Sequence, residues 1–312
     1  MSTSDLTRPG EMLPAATPET VLSDEDLAAL RRAVLVLERP SLAARLSAAA
    51  GAPLDIIGRS LPAPVTEVVG RSTEAAMRGA MRVALATLSH KEIAPAAGEA
   101  IDTPALKAES RIKRLLGSGE GRHKAMAALS GAVGGAFGLA TLAVELPVST
   151  TLMLRSIAEI ARDEGEDLET PEGALACVQV FALGGRAAAV TESGSALTES
   201  GYFAVRAALA KTLSEAARYA GSKTLLDQSA PALIRFTAQI AARFGLVVSQ
   251  KVAAQAVPIL GAFGGAAVNT AFMNHFQATA RAHFTIRRLE RKYGSAAVRA
   301  AYEVEKATLG IA

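Results

Sequence analysis

The sequence predicts an all-α protein, a single multi-helix domain with no substantial sheet. Three observations carry this. Half of the 312 residues are hydrophobic while only 4% are aromatic and none is Trp; the excess is Ala, Leu and Val. Ala and Leu are strong helix formers. Apolar residues recur at helical spacing in segment after segment, and no alternating run is long enough to make a strand. Helix start and stop chemistry, Ser or Thr before Pro or an acidic residue and Gly or Pro beyond the end, punctuates those segments.

Taken in order, the chain begins with a polar, Pro-rich stretch lacking a basic and then apolar leader, so no signal peptide is expected. Residues 1–21 read as a disordered tail and 22–312 as one helical domain. Ser23 can cap a first helix, with Asp26 in the capping-box position, running toward Pro40. A short helix follows from Ser41 to Gly51, and Leu61–Pro64 reads as a rigid connector. Val69, Ala76, Val83 and Leu88 mark one face of a helix over 66–88, with Arg71, Arg78 and Arg82 on a neighbouring face. Thr103-Pro104 restarts a helix that stops at Gly117-Ser118-Gly119.

The stretch from Ala125 to Asp163 organises the prediction. Its first twenty residues are uncharged; then Glu145 stands before Leu146-Pro147, and Arg155 and Glu159 close it. Pro147 should kink or divide this helix. Thr170-Pro171 starts the next helix, apolar from Ala174 to Leu183. Helices over 202–219 and from Pro231 to about Gln250 follow. Val252–Ala280 is a second segment without Asp, Glu, Lys or Arg, and a last helix follows Gly294.

The two uncharged segments share a pattern, Gly131-Ala-Val-Gly-Gly-Ala and Gly261-Ala-Phe-Gly-Gly-Ala. Glycine inside a helix costs roughly 1 kcal/mol relative to alanine, so clusters of it need a gain, usually close approach of two backbones. A crossing of the two segments at Gly131, Gly135, Gly261 and Gly265 is one reading; separate packing of each against another helix is the other. Eleven of the twenty residues Ala125–Val144 are Gly or Ala, which favours a buried hairpin over a membrane span.

Among polar residues, a continuous helix would put Ser149 and Ser156 on the Glu145 face, Glu159 close by and Arg155 on its flank. Arg155 is the expected partner of Glu145. With Asn269 these six form a candidate polar cluster, read first as a buried lock between helices. His275 and His283 are too far apart for a zinc helix, and no P-loop or nucleophile motif is present, so no metal, cofactor or catalytic residue is assigned. Cys177 is the sole cysteine and reads as a buried apolar side chain. The net charge of +3 excludes a strong nucleic-acid binder. Arg281, Arg287, Arg288, Arg291 and Lys292 form two adjacent stripes that could face an anionic leaflet; a solvated basic face is the plain alternative.

The chain resembles the EcsC protein family. The resemblance runs over most of residues 22–300. It is carried by Glu145, Pro147, Leu154, Arg155, Ile157, Ile160 and Ala161, then Gly165–Asp167, and by Pro258, Gly261 and Asn269. Where Glu145 stands, the family often has Asp. The resemblance implies a helical, membrane-related protein, named for one encoded beside an ABC transporter, and supplies no catalytic residue. The expectation is therefore a non-enzymatic, peripheral membrane- or lipid-associated module in the cytoplasm, at the inner face of the membrane. It would be accessory to a transporter or to envelope upkeep. A hydrolase using Glu145, Arg155 and Glu159, and a soluble adaptor for a protein partner, are the competing readings.

Overall fold

The computed structural model describes residues 21–38, 61–88, 142–184, 201–222, 230–256 and 264–311. These form eight helices and no strand among the described residues: α1 (Asp24–Leu37), α2 (Ala63–Leu88), α3 (Leu142–Asp163), α4 (Pro171–Leu183), α5 (Tyr202–Ser222), α6 (Pro231–Ala256), α7 (Gly264–Tyr293) and α8 (Ser295–Thr308). The all-α expectation holds. The first tail, the helices expected over 41–51 and 103–117, and glycines Gly131, Gly135 and Gly261 lie outside the described residues. Gly265 falls in the first turn of α7.

The helix at the centre is α4. It is apolar all round, and every residue from Gly173 to Leu183 is buried; a helix with no polar face belongs in a core. Its start is set locally. Thr170 accepts from the Gly173 N–H at 3.2 Å through Oγ1, with Pro171 in the first turn where no donor is missed. Around α4 pack α2, α3, α5, α6 and α7. The scarce aromatics concentrate beside it: Phe181, Phe244, Phe272 and Phe276 meet edge-on or tilted, with centroids 5.1 to 5.9 Å apart.

A second, smaller core lies at the other end of α7. There Leu30 and Val34 of α1 and Tyr302 of α8 close over Ile286 and Leu289. α7 is thirty residues long and so about 45 Å, enough to serve both cores. Ser23 caps α1 as expected, accepting from the Asp26 N–H at 3.3 Å.

Three boundaries differ from expectation. Pro147 neither divides nor ends α3, which runs from Leu142 to Asp163. Proline near a helix start removes only one ladder bond, and Thr151 Oγ1 donates to the Pro147 carbonyl at 2.9 Å. α2 begins at Ala63, so Pro64 sits in its first turn rather than in a connector. The end of α6 lies beyond the expected position near Gln250. α6 continues to Ala256, ahead of Pro258, and α7 begins at Gly264.

Candidate functional site

Glu145 is buried on the inner face of α3 together with Ser149 and Ser156, as the helical spacing predicts. Its partner is not Arg155. Lys251 of α6 donates Nζ to Glu145 Oε1 at 2.6 Å, with the two side chains 0% and 6% exposed. The ammonium also stands 5.2 Å from the Phe272 ring centroid, so the pair ties α3, α6 and α7 together. Burial pushes the Lys251 ammonium below its ordinary pKa, against the opposing charge and hydrogen bond of Glu145. Arg155 lies exposed and Glu159 half-buried. Ser149 Oγ donates to the Leu146 carbonyl at 3.1 Å, and Ser156 Oγ accepts from Gln277 Nε2 at 2.7 Å. Asn269 is buried in α7. The predicted six thus divide: Glu145, Ser149, Ser156 and Asn269 face inward, and Arg155 and Glu159 do not join them at the ion pair.

The basic residues of α7, read in the sequence as either a lipid-facing stripe or a solvated face, are mostly met by carboxylates. Arg287 binds Glu166 from Nε at 3.0 Å and from a second nitrogen. Arg288 binds Glu164 at 2.9 Å and Asp26 at 3.1 Å, Arg291 reaches Glu166 and the Glu164 carbonyl, and Lys292 binds Asp26 at 2.7 Å. Arg281 is exposed on an earlier turn. Three carboxylates on α1 and the α3–α4 turn therefore engage four of the five cations. Asp26 is held well below the usual carboxylate range, first by Lys292, then by Tyr293 and Arg288. For Glu166, burial works upward but Arg287 and Arg291 outweigh it, and the net shift is down.

That network explains the Gly165–Asp167 motif. Gly165 has φ +72, the left-handed conformation that ends α3, and the Glu166 N–H reaches back to the Ala161 carbonyl. The same turn aims the Glu166 carboxylate at α7, while Asp167 Oδ1 accepts from the Glu169 N–H.

A third polar group was missed in the sequence. Tyr202 Oη lies 2.8 Å from His283 Nδ1, and Arg206 bridges Tyr202 at 3.2 Å to Glu290, a bidentate pair at 2.8 and 2.9 Å. Burial, then the charges of Arg206 and Arg287, hold His283 well below its ordinary pKa, so it is neutral. His275 is separate, with Nε2 2.7 Å from the Gly184 carbonyl. No cluster of metal-ligating side chains occurs among the described residues. Cys177 is buried as expected, its thiol pushed up to about 12 by burial and then by the nearby Glu166 charge.

None of these buried groups lines the groove between α2 and α6. That groove has a volume of about 920 Å³. Its walls are mostly apolar or small, with Val69, Gly70 and Met81 on α2 and Ile234, Ala242 and Leu246 on α6, and they also carry the Glu74–Arg78 ion pair. Ile234 and Leu246 are 52% and 44% exposed. Over Pro231–Ala254 the α6 helix is long and apolar enough to cross a membrane, the one such helix among the described residues. It also carries Arg235, Arg243 and the buried Lys251.

The model of the EcsC protein family matches residues 25–289. The chain belongs to the EcsC protein family. The match covers α1 from Glu25 through most of α7, so the Glu145–Lys251 pair, the groove and the Arg287 and Arg288 contacts of the α7 ion network lie within the EcsC region, while Arg291 and Lys292 follow it. No curated protein and no solved structure matches the chain.

Proposed function

We propose that this EcsC family protein is a non-enzymatic helical module that docks peripherally on membrane lipid through the face shared by α2 and α6. The observation that carries the reading is the apolar α6 surface, which leaves Ile234 and Leu246 half-exposed beside an open apolar groove. Exposed apolar surface of that kind marks an interaction face. The basic stripe of α7 is a poorer contact, because Asp26, Glu164 and Glu166 already engage four of its cations. An accessory role beside a membrane transporter fits a module of this kind. Hydrolysis fits less well: Glu145 is buried against Lys251, and none of Glu145, Arg155 and Glu159 lines the groove.

Liposome flotation tests the proposal. The protein should float with neutral as well as anionic liposomes and stay bound at high salt, since apolar contact is not screened. Ile234→Asp with Leu246→Asp should abolish flotation while the far-UV circular dichroism stays unchanged. Flotation that requires anionic lipid and is lost at high salt would move the contact to basic residues and overturn this assignment.

A further inference from the structure

We propose that the Tyr202–His283 contact is a proton-operated clasp, which holds the start of α5 on α7 at neutral pH and releases it in mild acid. This device is independent of the lipid contact proposed above. The hydrogen bonds at the clasp have a fixed direction. Arg206 Nη1 reaches Tyr202 Oη at 3.2 Å, and a guanidinium can only donate. The Tyr202 oxygen accepts there, and its own hydrogen is left for His283 Nδ1 at 2.8 Å. Burial pushes the Tyr202 hydroxyl well above its ordinary pKa, so it keeps that hydrogen. His283 is then the tautomer with Nδ1 bare and Nε2 protonated. Its Nε2 is buried and meets no hydrogen-bond partner among the described residues.

A proton on His283 breaks this arrangement. Nδ1 becomes a donor, so an N–H is set against the Tyr202 O–H, and the hydroxyl hydrogen has to turn away inside a buried site. The new charge also finds the nearby carboxylates engaged. Glu290 holds Arg206 through both oxygens, at 2.8 and 2.9 Å. Glu164 and Glu166 of the α3–α4 turn hold Arg288 and Arg287. Glu38, at the end of α1, accepts from Tyr302 of α8, whose ring stacks on Tyr202. Arg299 of α8 adds another cation, 5.5 Å from the Phe203 ring centroid, and α4 brings the apolar Leu183 to this core. The Glu145–Lys251 pair of α3 and α6 is about three turns away along α7, beside Phe272. Burial, then the charges of Arg206 and Arg287, oppose protonation while the clasp is closed. The proton is accepted where the ring reaches water, which is the open state.

The clasp sits where release is local. Tyr202 is the first residue of α5, and α5 packs chiefly on α4 and α6 rather than on α7. Tyr202 and Arg206 are therefore its tie to α7. Opening it uncovers Tyr202 and Phe203 at the edge of the second core.

Hydrogen–deuterium exchange of the full chain, read by mass spectrometry at pH 7.5 and pH 5.5 and corrected for the intrinsic pH dependence of amide exchange, tests the clasp. In the open state His283 regains its ordinary pKa of about 6.5, so opening should rise about tenfold between the two conditions. The rise should be confined to the first turns of α5, with α4 unchanged. His283→Asn keeps an acceptor near the Nδ1 position and cannot titrate, so its α5 exchange should be the same at both pH values. Tyr202→Phe should raise α5 exchange at both. Equal exchange at the two pH values in wild type would overturn the clasp. A pH response that survives in His283→Asn would do the same, as would a rise spread evenly over α4 and α5, which is general loss of stability. Should His283→Asn fail to fold, the His283 Cε1–H signal in wild type decides. It should stay that of a neutral ring while the α5 amides remain protected, and titration near pH 6.5 with those amides still protected would overturn the proposal.

Discussion

Lys251→Met should destabilise the protein by roughly 3–5 kcal/mol, the usual cost of orphaning one member of a buried pair. The magnitude follows from the geometry. At the 2.6 Å separation of Nζ and Oε1, an effective dielectric near 20 gives a Coulomb attraction of about 6 kcal/mol. Desolvating each ion costs several kcal/mol, so the intact pair is close to neutral overall. Removing the ammonium deletes the attraction and leaves the Glu145 carboxylate desolvated. Against a total stability of ~5–15 kcal/mol, that is a large fraction. Glu145→Leu should cost a similar amount for the mirrored reason. The double variant, Glu145→Leu with Lys251→Met, should lie close to wild type, because no charge remains buried. Equilibrium denaturation in guanidinium, followed by circular dichroism, measures all of these. Additive losses, with the double variant as unstable as the two singles together, would show that the two charges do not stabilise each other. Arg155→Met serves as the control: at an exposed position, it should shift stability by no more than ~0.5 kcal/mol.

The ion network on α7 makes stability depend on acid. Asp26 and Glu166 both hold protons less tightly folded than unfolded, so their contribution is present above the ordinary carboxylate pKa and lost as pH falls through the depressed values. Wild type should therefore lose stability steeply between about pH 5 and pH 2, and Asp26→Asn with Glu166→Gln should flatten that slope; an unchanged slope would place the acid sensitivity elsewhere. The Cys177 thiol, pushed up to about 12, should leave only about one thiolate in ten thousand at pH 8, so Ellman's reagent should label it only after unfolding; rapid labelling of native protein would show that α4 is not the sealed core helix described here.

How much of this was legible in the sequence depends on the distance over which each interaction acts. The start of α4 was legible because Thr170, Pro171 and Gly173 settle it within four residues. The cap of α1 was legible for the same reason. The α7 network was not. Periodicity places Arg287, Arg288, Arg291 and Lys292 together but is silent about what packs against them. Their acceptors lie 121 to 266 residues away in sequence. The sign that something complementary exists was present in the acidic first turn of α1 and in Gly165-Glu166-Asp167. Joining them to α7 required the fold. Asp26 shows the difference well: its backbone makes the predicted cap, while its carboxylate turns outward to Arg288, Lys292 and Tyr293.

The Glu145 partner was misread for a more general reason. The nearest opposite charge along the helix is the natural first guess, and on exposed faces it works: Glu67 with Arg71 and Glu74 with Arg78 pair one turn apart. Such pairs are worth only about 0.3–0.5 kcal/mol, too little to position a helix. A carboxylate on the inward face has a far larger desolvation penalty to offset, and a neighbour on the flank of its own helix must remain at the surface to keep its own charge hydrated. The charge that can meet it has to arrive from another helix facing the same core. Lys251 qualifies because it immediately precedes the second uncharged segment, as Glu145 immediately follows the first. The end of the first run and the start of the second thus carry charges of opposite sign. The buried faces of α3 and α6 bring these two borders together, and the pair at 2.6 Å is the consequence.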